Sequence, residues 1–221
     1  MTAGTGEDEP PRHVVVFDCN IYLDIASLLG APFTWDKFNT AAARFARDPL
    51  PHPHGPNRDS LRAVASCTSG RFAGDEALEV WTNAHIDKMV RGKAGQPTQP
   101  DDSGRQGLGW SSDDASALVD DLVWGLAARA SGGTLGHQHY PEGNPPLDHE
   151  DAMVFGACHV LAREDPLANV YCVTRDKGFL KASSNGELAS HTLVLTPTQF
   201  VGLLRQARHS FSMRGVRPRV E

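Results

Sequence analysis

The least free stretch of this chain is Arg12 to Asp24, RHVVVFDCNIYLD. Val14-Val15-Val16-Phe17 is an unbroken run of β-branched and aromatic residues, and a strand with one wet face would alternate instead. It therefore predicts a short strand buried on both faces. The run ends in Asp18-Cys19-Asn20, and Ile21, Leu23, Ile25, Leu28 and Leu29 follow at once with helix-like spacing. A carboxylate at the C-terminal end of a central parallel strand lies where open α/β sheets place their ligands. The plainer reading is that Asp18 or Asn20 caps the following helix. A second strand-then-acid signal, NVYCVT (Asn169–Thr174) followed by Asp176, stands near the other end of the chain.

Between these two signals strands and helices alternate, which implies an α/β fold with a mainly parallel sheet flanked by helices. Gly30 and Pro32 stop the first helix, and Thr34 caps a second over Trp35–Arg47. Asp48–Asn57, with four prolines, reads as loop. Ser60–Gly70 fits a short helix or a strand. Asp75–Trp81 reads as a helical turn leading into a strand, with Leu78 and Val80 alternating against Glu79. Thr82 or Asn83 then caps a helix through Val90. Arg91–Ser112, rich in Gly, Pro, Ser and Gln, reads as an insertion or mobile loop anchored by Leu108 and Trp110.

Asp113–Ala130 is the clearest amphipathic helix, with Ser112 or Asp113 as its cap. Its buried stripe comprises Ala115, Leu118, Val119, Leu122, Val123, Leu126 and Ala127. Ser131–Leu147 reads as loop, and a helix follows from His149 to Arg163. A last strand (His191–Leu195) leads through Thr196-Pro197-Thr198 into a helix over Gln199–Ala207. The expected organisation is a disordered terminus over 1–11, one domain over 12–207 with insertions near 48–60, 91–112 and 131–147, and a basic tail over 208–221. The tail arginines, Arg208 among them, read either as a solvated terminus or as a nucleic-acid contact.

Composition narrows the function classes. A net charge of −6 over 221 residues argues against a general basic coat for nucleic acid. No apolar run approaches the roughly 18 residues that span a bilayer, so no membrane partner is expected. The polar N-terminus has no hydrophobic core like that of a secretory signal, and Cys19, Cys67, Cys158 and Cys172 show no CxxC spacing. They read as reduced core residues of a cytoplasmic protein. The HxH pairs His52/His54 and His137/His139 sit in Pro- and Gly-rich loops and read as surface histidines.

The acids converge more than they scatter. Asp18 and Asn20 follow the first strand, Asp148, Glu150 and Asp151 open the helix before NVYCVT, and Asp176 follows that strand. Asp87 lies early in the middle helix. Asp151, Phe155 and Cys158 share one helical side, which puts Asp151 at the rim of the buried face. Each acid alone is open to a capping explanation, with Asp148 and Asp151 resembling a capping box and Asp176 capping the Lys177–Leu180 turn. Jointly, carboxylates crowded at one crevice repel each other unless a cation neutralises them. Oxygen-only ligands favour Mg²⁺ or Mn²⁺ over Zn²⁺.

On these residues the chain resembles the PIN-domain nucleases. VVVFDCNIYLD looks like that family's opening strand with its first metal-binding Asp and following polar residue, matching Asp18 and Asn20. LDHEDAMVFGAC resembles its acidic helix start, matching Asp151 with Asp148 beside it. VYCVTRDKGFL resembles its last strand and acid, matching Thr174 and Asp176. The family's remaining acid, usually a Glu on the helix after the second strand, is where this chain departs: WTNAHIDKMV offers Asp87, a shorter carboxylate, and Glu79, the other nearby acid, lies on the strand before.

The resemblance implies a PIN-like fold and a metal-dependent endoribonuclease in which Asp18, Asp151 and Asp176 hold Mg²⁺ or Mn²⁺. Asp87 or Asp148 would complete the shell, with Asn20 and Thr174 supporting it and Arg175 and Lys177 contacting nucleic acid. It also implies the setting of a toxin–antitoxin pair, with an inhibitory partner protein and a homodimer. The alternatives are a structure-specific DNA nuclease and a catalytically weak PIN-like binding module. An aspartate-nucleophile phosphatase fits less well, because DCN lacks the DxD such enzymes use.

Overall fold

A computed structural model describes residues 11–47, 55–99, 106–137, 147–188 and 192–215. Five strands form one all-parallel sheet in the order β3-β2-β1-β4-β5. They are β1 (His13–Phe17), β2 (Leu78–Asn83), β3 (Gly133–Leu135), β4 (Asn169–Val173) and β5 (Thr192–Leu195). The expected α/β class with a parallel sheet flanked by helices is therefore what the chain adopts. The apolar run of β1 holds the central place, paired with β2 on one edge and β4 on the other, and Val14 to Phe17 are fully buried. From β1 the chain works outward through β2 to β3, then crosses back to β4. The strand order thus reverses between β1 and β4, and a crevice opens there beyond their C-terminal ends.

Nine α-helical segments are described. α1 (Cys19–Leu29) ends at Gly30, whose φ of 69° is a conformation that glycine adopts without strain. α2 spans Trp35–Arg47, as its spacing predicts. α3 (Pro56–Ala65) corrects the sequence reading twice. Pro56 does not extend the loop but opens the helix, at a position where its missing N–H costs nothing, and the ambiguous Ser60 segment is helical.

α4 (Ala84–Gly95) is capped by Asn83, whose side chain accepts from the Ile86 N–H, and it runs five residues past Val90 into the supposed insertion. The rest of that segment is tied back by backbone bonds from Leu108 to Lys93 and from Trp110 to Ala94, and both side chains are partly buried against the core. Asp75–Ala77 forms no helical turn; it closes a tight loop through a bridge between Arg71 and Ala77.

The amphipathic stripe predicted for residues 113–130 is buried or half-buried throughout, although the helix is not uniform. α5 (Ser112–Leu118), capped by Ser111 and not by Ser112 or Asp113, passes through a π-helical turn at Val119–Trp124 into α6 (Gly125–Arg129). Gly133–Leu135 then forms β3, an edge strand too short to register as a pattern inside a Gly-rich loop. α7 (His149–Glu164) and α8 (Lys177–Ser184) flank β4 in the chain.

α9 begins at Pro197 as expected, but it continues to Gly215, well beyond Ala207. Thr196 and Gln199 close its first turn with reciprocal bonds of 2.8 and 3.2 Å. The first part of the expected basic tail is therefore helix. Arg208 is no floppy cation: its guanidinium donates to the carbonyls of Ser66 (2.9 Å), Arg71 (2.7 Å) and Phe72 (3.0 Å). Residues 1–10, both His52 and His54, His139, and 216–221 lie outside the described residues. No described helix is long and apolar enough to cross a membrane.

Phe17 meets Tyr22 of α1 and Phe200 of α9 edge-on, while α7 packs against β1, β2 and β4. Arg12 staples the far end of the sheet, pairing with Glu79 at 2.7 Å and with Asp165 at 3.2 Å. Arg208→Ala removes one guanidinium and leaves three carbonyls short of a donor. It should lower stability by about 1–3 kcal/mol, read as a lower urea midpoint at unchanged m, with Arg208→Lys restoring only part because it lacks the fork.

Candidate metal centre

The crevice at the strand reversal collects the acids because of chain direction. β1 and β4 are parallel, so the residues that follow them, Asp18 and Asp176, leave the sheet at the same edge. α7 runs back toward the start of β4, so its own N-terminus, with Asp148, Glu150 and Asp151, lies at that edge too. Asn83, at the end of β2, ties this arrangement down by donating to the Met153 carbonyl in α7 at 2.9 Å.

Capping accounts for some of these acids and not for others. Asp148 accepts from the Asp151 N–H at 2.8 Å and caps α7. Asp176 caps α8, with one oxygen on the Phe179 N–H at 3.0 Å. Asp18 precedes α1 in the cap position, yet its side chain makes no capping bond. It is 3% exposed, and its Oδ2 is held by the Thr174 hydroxyl at 2.6 Å and the Asn20 amide at 2.5 Å.

Thr174 links the two strand ends. It donates to Asp18 and accepts from the Asp176 N–H at 2.9 Å. The Asn20 amide must present its NH₂ to Asp18, since a flipped amide would set oxygen against oxygen. That orientation leaves Asn20 Oδ1 buried and without a partner among the described residues, an unsatisfied acceptor of the kind a cation or its water would complete.

The electrostatics record the crowding. Asp151 is pushed from 3.8 up to about 7, first by burial and then by the charges of Asp148, Asp176, Asp18 and Glu150. Burial also raises the Asp18 carboxyl, against the lowering effect of the Thr174 bond. The Cys19 thiol is driven up by burial, then by Asp18, with a further push from Glu150. Glu150 therefore belongs to the same negative field, a role that its exposed place in the first turn of α7 did not single out in sequence.

Asp87 is not drawn into this group. Its two oxygens accept from Thr82 (3.2 Å) and from the Trp124 indole (2.8 Å), and the charges that act on it are those of Arg91 and Asp120. The π-helical turn that contains Trp124 has no sequence signature. Glu79, the other acid near that helix, is held by Arg12 and Trp81. Arg175 is likewise committed, gripping Asp24 at 2.6 Å beside the Ser60 hydroxyl. Lys177 is exposed next to Asp176.

Among the described residues no three His, Cys, Asp or Glu side chains are grouped closely enough to form a ready metal cage. The donors at the crevice are all oxygen, from Asp18, Asp151, Asp176 and Asn20 Oδ1. Such a set suits a hard cation that takes one or two carboxylates and keeps its waters, and not a closed zinc site. No protein-family model, curated protein or solved structure matches the chain. The site is read from its geometry alone.

Asp151 yields a pH-dependent stability. A carboxyl raised from 3.8 to about 7 binds more protons folded than unfolded between those values, so its contribution is complete below pH 3.8 and is lost as pH rises through about 7. Buried His13, held down at about 4, acts oppositely and adds stability from pH 4 to 6.5. The Asp151 effect is therefore read as a difference between proteins. With chelator at pH 8, Asp151→Asn should melt about 2–4 °C above wild type, close to 1 kcal/mol for a chain of this size, and the gap should narrow as pH falls below about 7 and close near pH 3.8. Equal melting at pH 8 as well would remove the repulsion from the account.

Proposed function

We propose that this protein is a metal-dependent nuclease of PIN-like fold that hydrolyses RNA phosphodiester bonds, cutting within the chain. One observation carries the reading: Asp18, placed to cap a helix, is instead buried and aimed across the strand reversal toward Thr174, with the amide of Asn20 beside it in α1. A structural cap has no reason to accept that desolvation. In this reading Asp18, Asp151 and Asp176 hold Mg²⁺ or Mn²⁺. Thr174 and Asn20 orient Asp18, and Glu150 and Asp148 add to the field that attracts the ion. When bound, such an ion supplies a nucleophilic water near neutral pH and stabilises the leaving oxygen. Lys177 contacts a phosphate, and Arg175 positions Asp24.

The setting inferred from the family resemblance alone is a cytoplasmic toxin restrained by an inhibitory partner protein. A homodimer belongs to the same inference. Hydrolysis of DNA is the enzyme alternative, because nothing in the acid cluster distinguishes a 2′-hydroxyl. A specific observation favours the binding-module alternative, namely that both oxygens of Asp87 are already committed to Thr82 and Trp124.

The test is cleavage of labelled single-stranded RNA and DNA in Mn²⁺, Mg²⁺ or chelator by wild type, Asp18→Asn and Asp176→Asn, with folding checked by circular dichroism. Metal-dependent RNA cleavage that falls about 100-fold or more in both folded variants is the expected result, the loss usual for a key electrostatic group. Cleavage of DNA alone would favour the second enzyme. Failure of folded wild type to cut either polymer would leave the binding module.

A further inference from the structure

A cleft begins at Arg175 and Lys177, the residues on either side of Asp176 in the chain, and continues between α3 and α9. Its first part, about 340 Å³, is bounded by Arg175, Lys177, the start of α3 at Pro56 and the Thr196–Thr198 turn. Asp59 and Thr198 also line the next part, about 190 Å³, with Arg62, Gly202 and Arg205. Arg62 and Arg205 in turn line a third part of about 430 Å³ that ends at Arg208, over the small residues Ala42, Ala43 and Ala46. These shared walls make one continuous groove. Thr198 to Arg205 alone covers about 10 Å of helix axis.

The groove is positive although the chain is acidic. Lys177, Arg62 and Arg205 line it and have no salt bridge among the described residues, and Arg208 stands at its far end on three carbonyls. Asp59 is the acid in its wall. Gly202 is a second mark. It lies inside a 19-residue helix, where glycine costs about 1 kcal/mol against alanine. Packing does not require it, because a Cβ there would meet nothing within 4 Å. It leaves the helix backbone open in the smallest of the three parts, where a ligand could approach closely.

We infer that this groove carries the phosphate backbone of a single-stranded nucleic acid running away from the acidic crevice, with Lys177, Arg62 and Arg205 as successive phosphate contacts. The inference rests on the nuclease reading for its direction, since the crevice supplies the end at which the strand is cut. Cations in a row without salt bridges among the described residues, beside small residues, suit a polyanion tracked by its backbone and not by its bases.

Binding in chelator separates this proposal from catalysis. The probes are fluorescein-labelled single-stranded RNA and DNA of about 12 nucleotides, within the usual range for such sites, measured by anisotropy across a salt series. Arg62→Gln/Arg205→Gln should weaken binding about tenfold or more at low salt and flatten the salt slope by about 0.7 for each lost contact. Gly202→Glu should weaken it similarly, Gly202→Ala should bind as wild type while melting no lower, and Asp59→Asn should tighten binding, which misfolding cannot do.

Unchanged affinity and slope in the double variant, or no binding by wild type, would overturn the groove. Competition by polyglutamate as strong as by RNA of equal charge would also overturn it, in favour of an acidic polypeptide. The two readings fail separately. Metal-dependent cleavage with unaltered binding in the groove variants removes the groove alone. Groove-dependent binding without cleavage removes the nuclease and keeps the groove.

Discussion

The parallel pairing of β1 between β2 and β4 is the constraint on which the rest depends. A strand bonded on both edges and covered on both faces leaves little room for polar side chains, which is why four apolar residues run together after His13, whose ring is itself held by the Tyr171 hydroxyl. The next polar residue then appears where the strand ends. Asp18 is that residue, and the Asp18 N–H still bonds the Val173 carbonyl, so its carboxylate is presented while its backbone stays in the ladder. β4 obeys the same rule and delivers Thr174 and Asp176 alongside. Direction does the rest, because a helix returning toward the start of β4 must begin at the edge where β1 and β4 finish.

What gathers there is unfavourable by itself. Asp18 loses hydration, the Asp151 carboxyl is pushed up to about 7, and Asn20 Oδ1 has no partner among the described residues. Interiors seldom accumulate such costs together unless something else relieves them. The bonds from Thr174 and Asn20 relieve part of the cost at Asp18 and fix its orientation. A hard cation with its waters is the species that would relieve the remainder. Hydrogen-bonded supports around a charged centre are how a site holds its geometry before any ligand arrives.

The fold was legible in the chain wherever burial imposed a period or an unbroken run. Strands β1 and β4, α2 and the stripe of Ala115–Ala127 follow from such patterns. Boundaries were less legible where local composition pointed one way and packing another. Pro56 reads as loop by its neighbours yet starts α3. Residues 91–95 look too polar for helix but complete α4, and β3 is three residues of edge strand with no room for alternation. The C-terminal half of α9 was missed because what holds Arg208 is a set of carbonyls more than a hundred residues away in sequence.

The candidate site divides along the same line. The sequence by itself determined that acids would follow β1 and β4 and open α7, because chain polarity in a parallel sheet leaves them no other edge. Only the tertiary structure decided which acids meet. It turned Asp18 away from its cap position toward Thr174, closed Asp87 against Trp124 across a π-helical turn, and paired Arg175 with Asp24. It also set Arg62 beside Arg205. Spacing along the chain says where a side chain leaves the backbone. What it touches depends on how distant elements pack, and hydrogen bonds and charges act only over the few ångströms that packing provides.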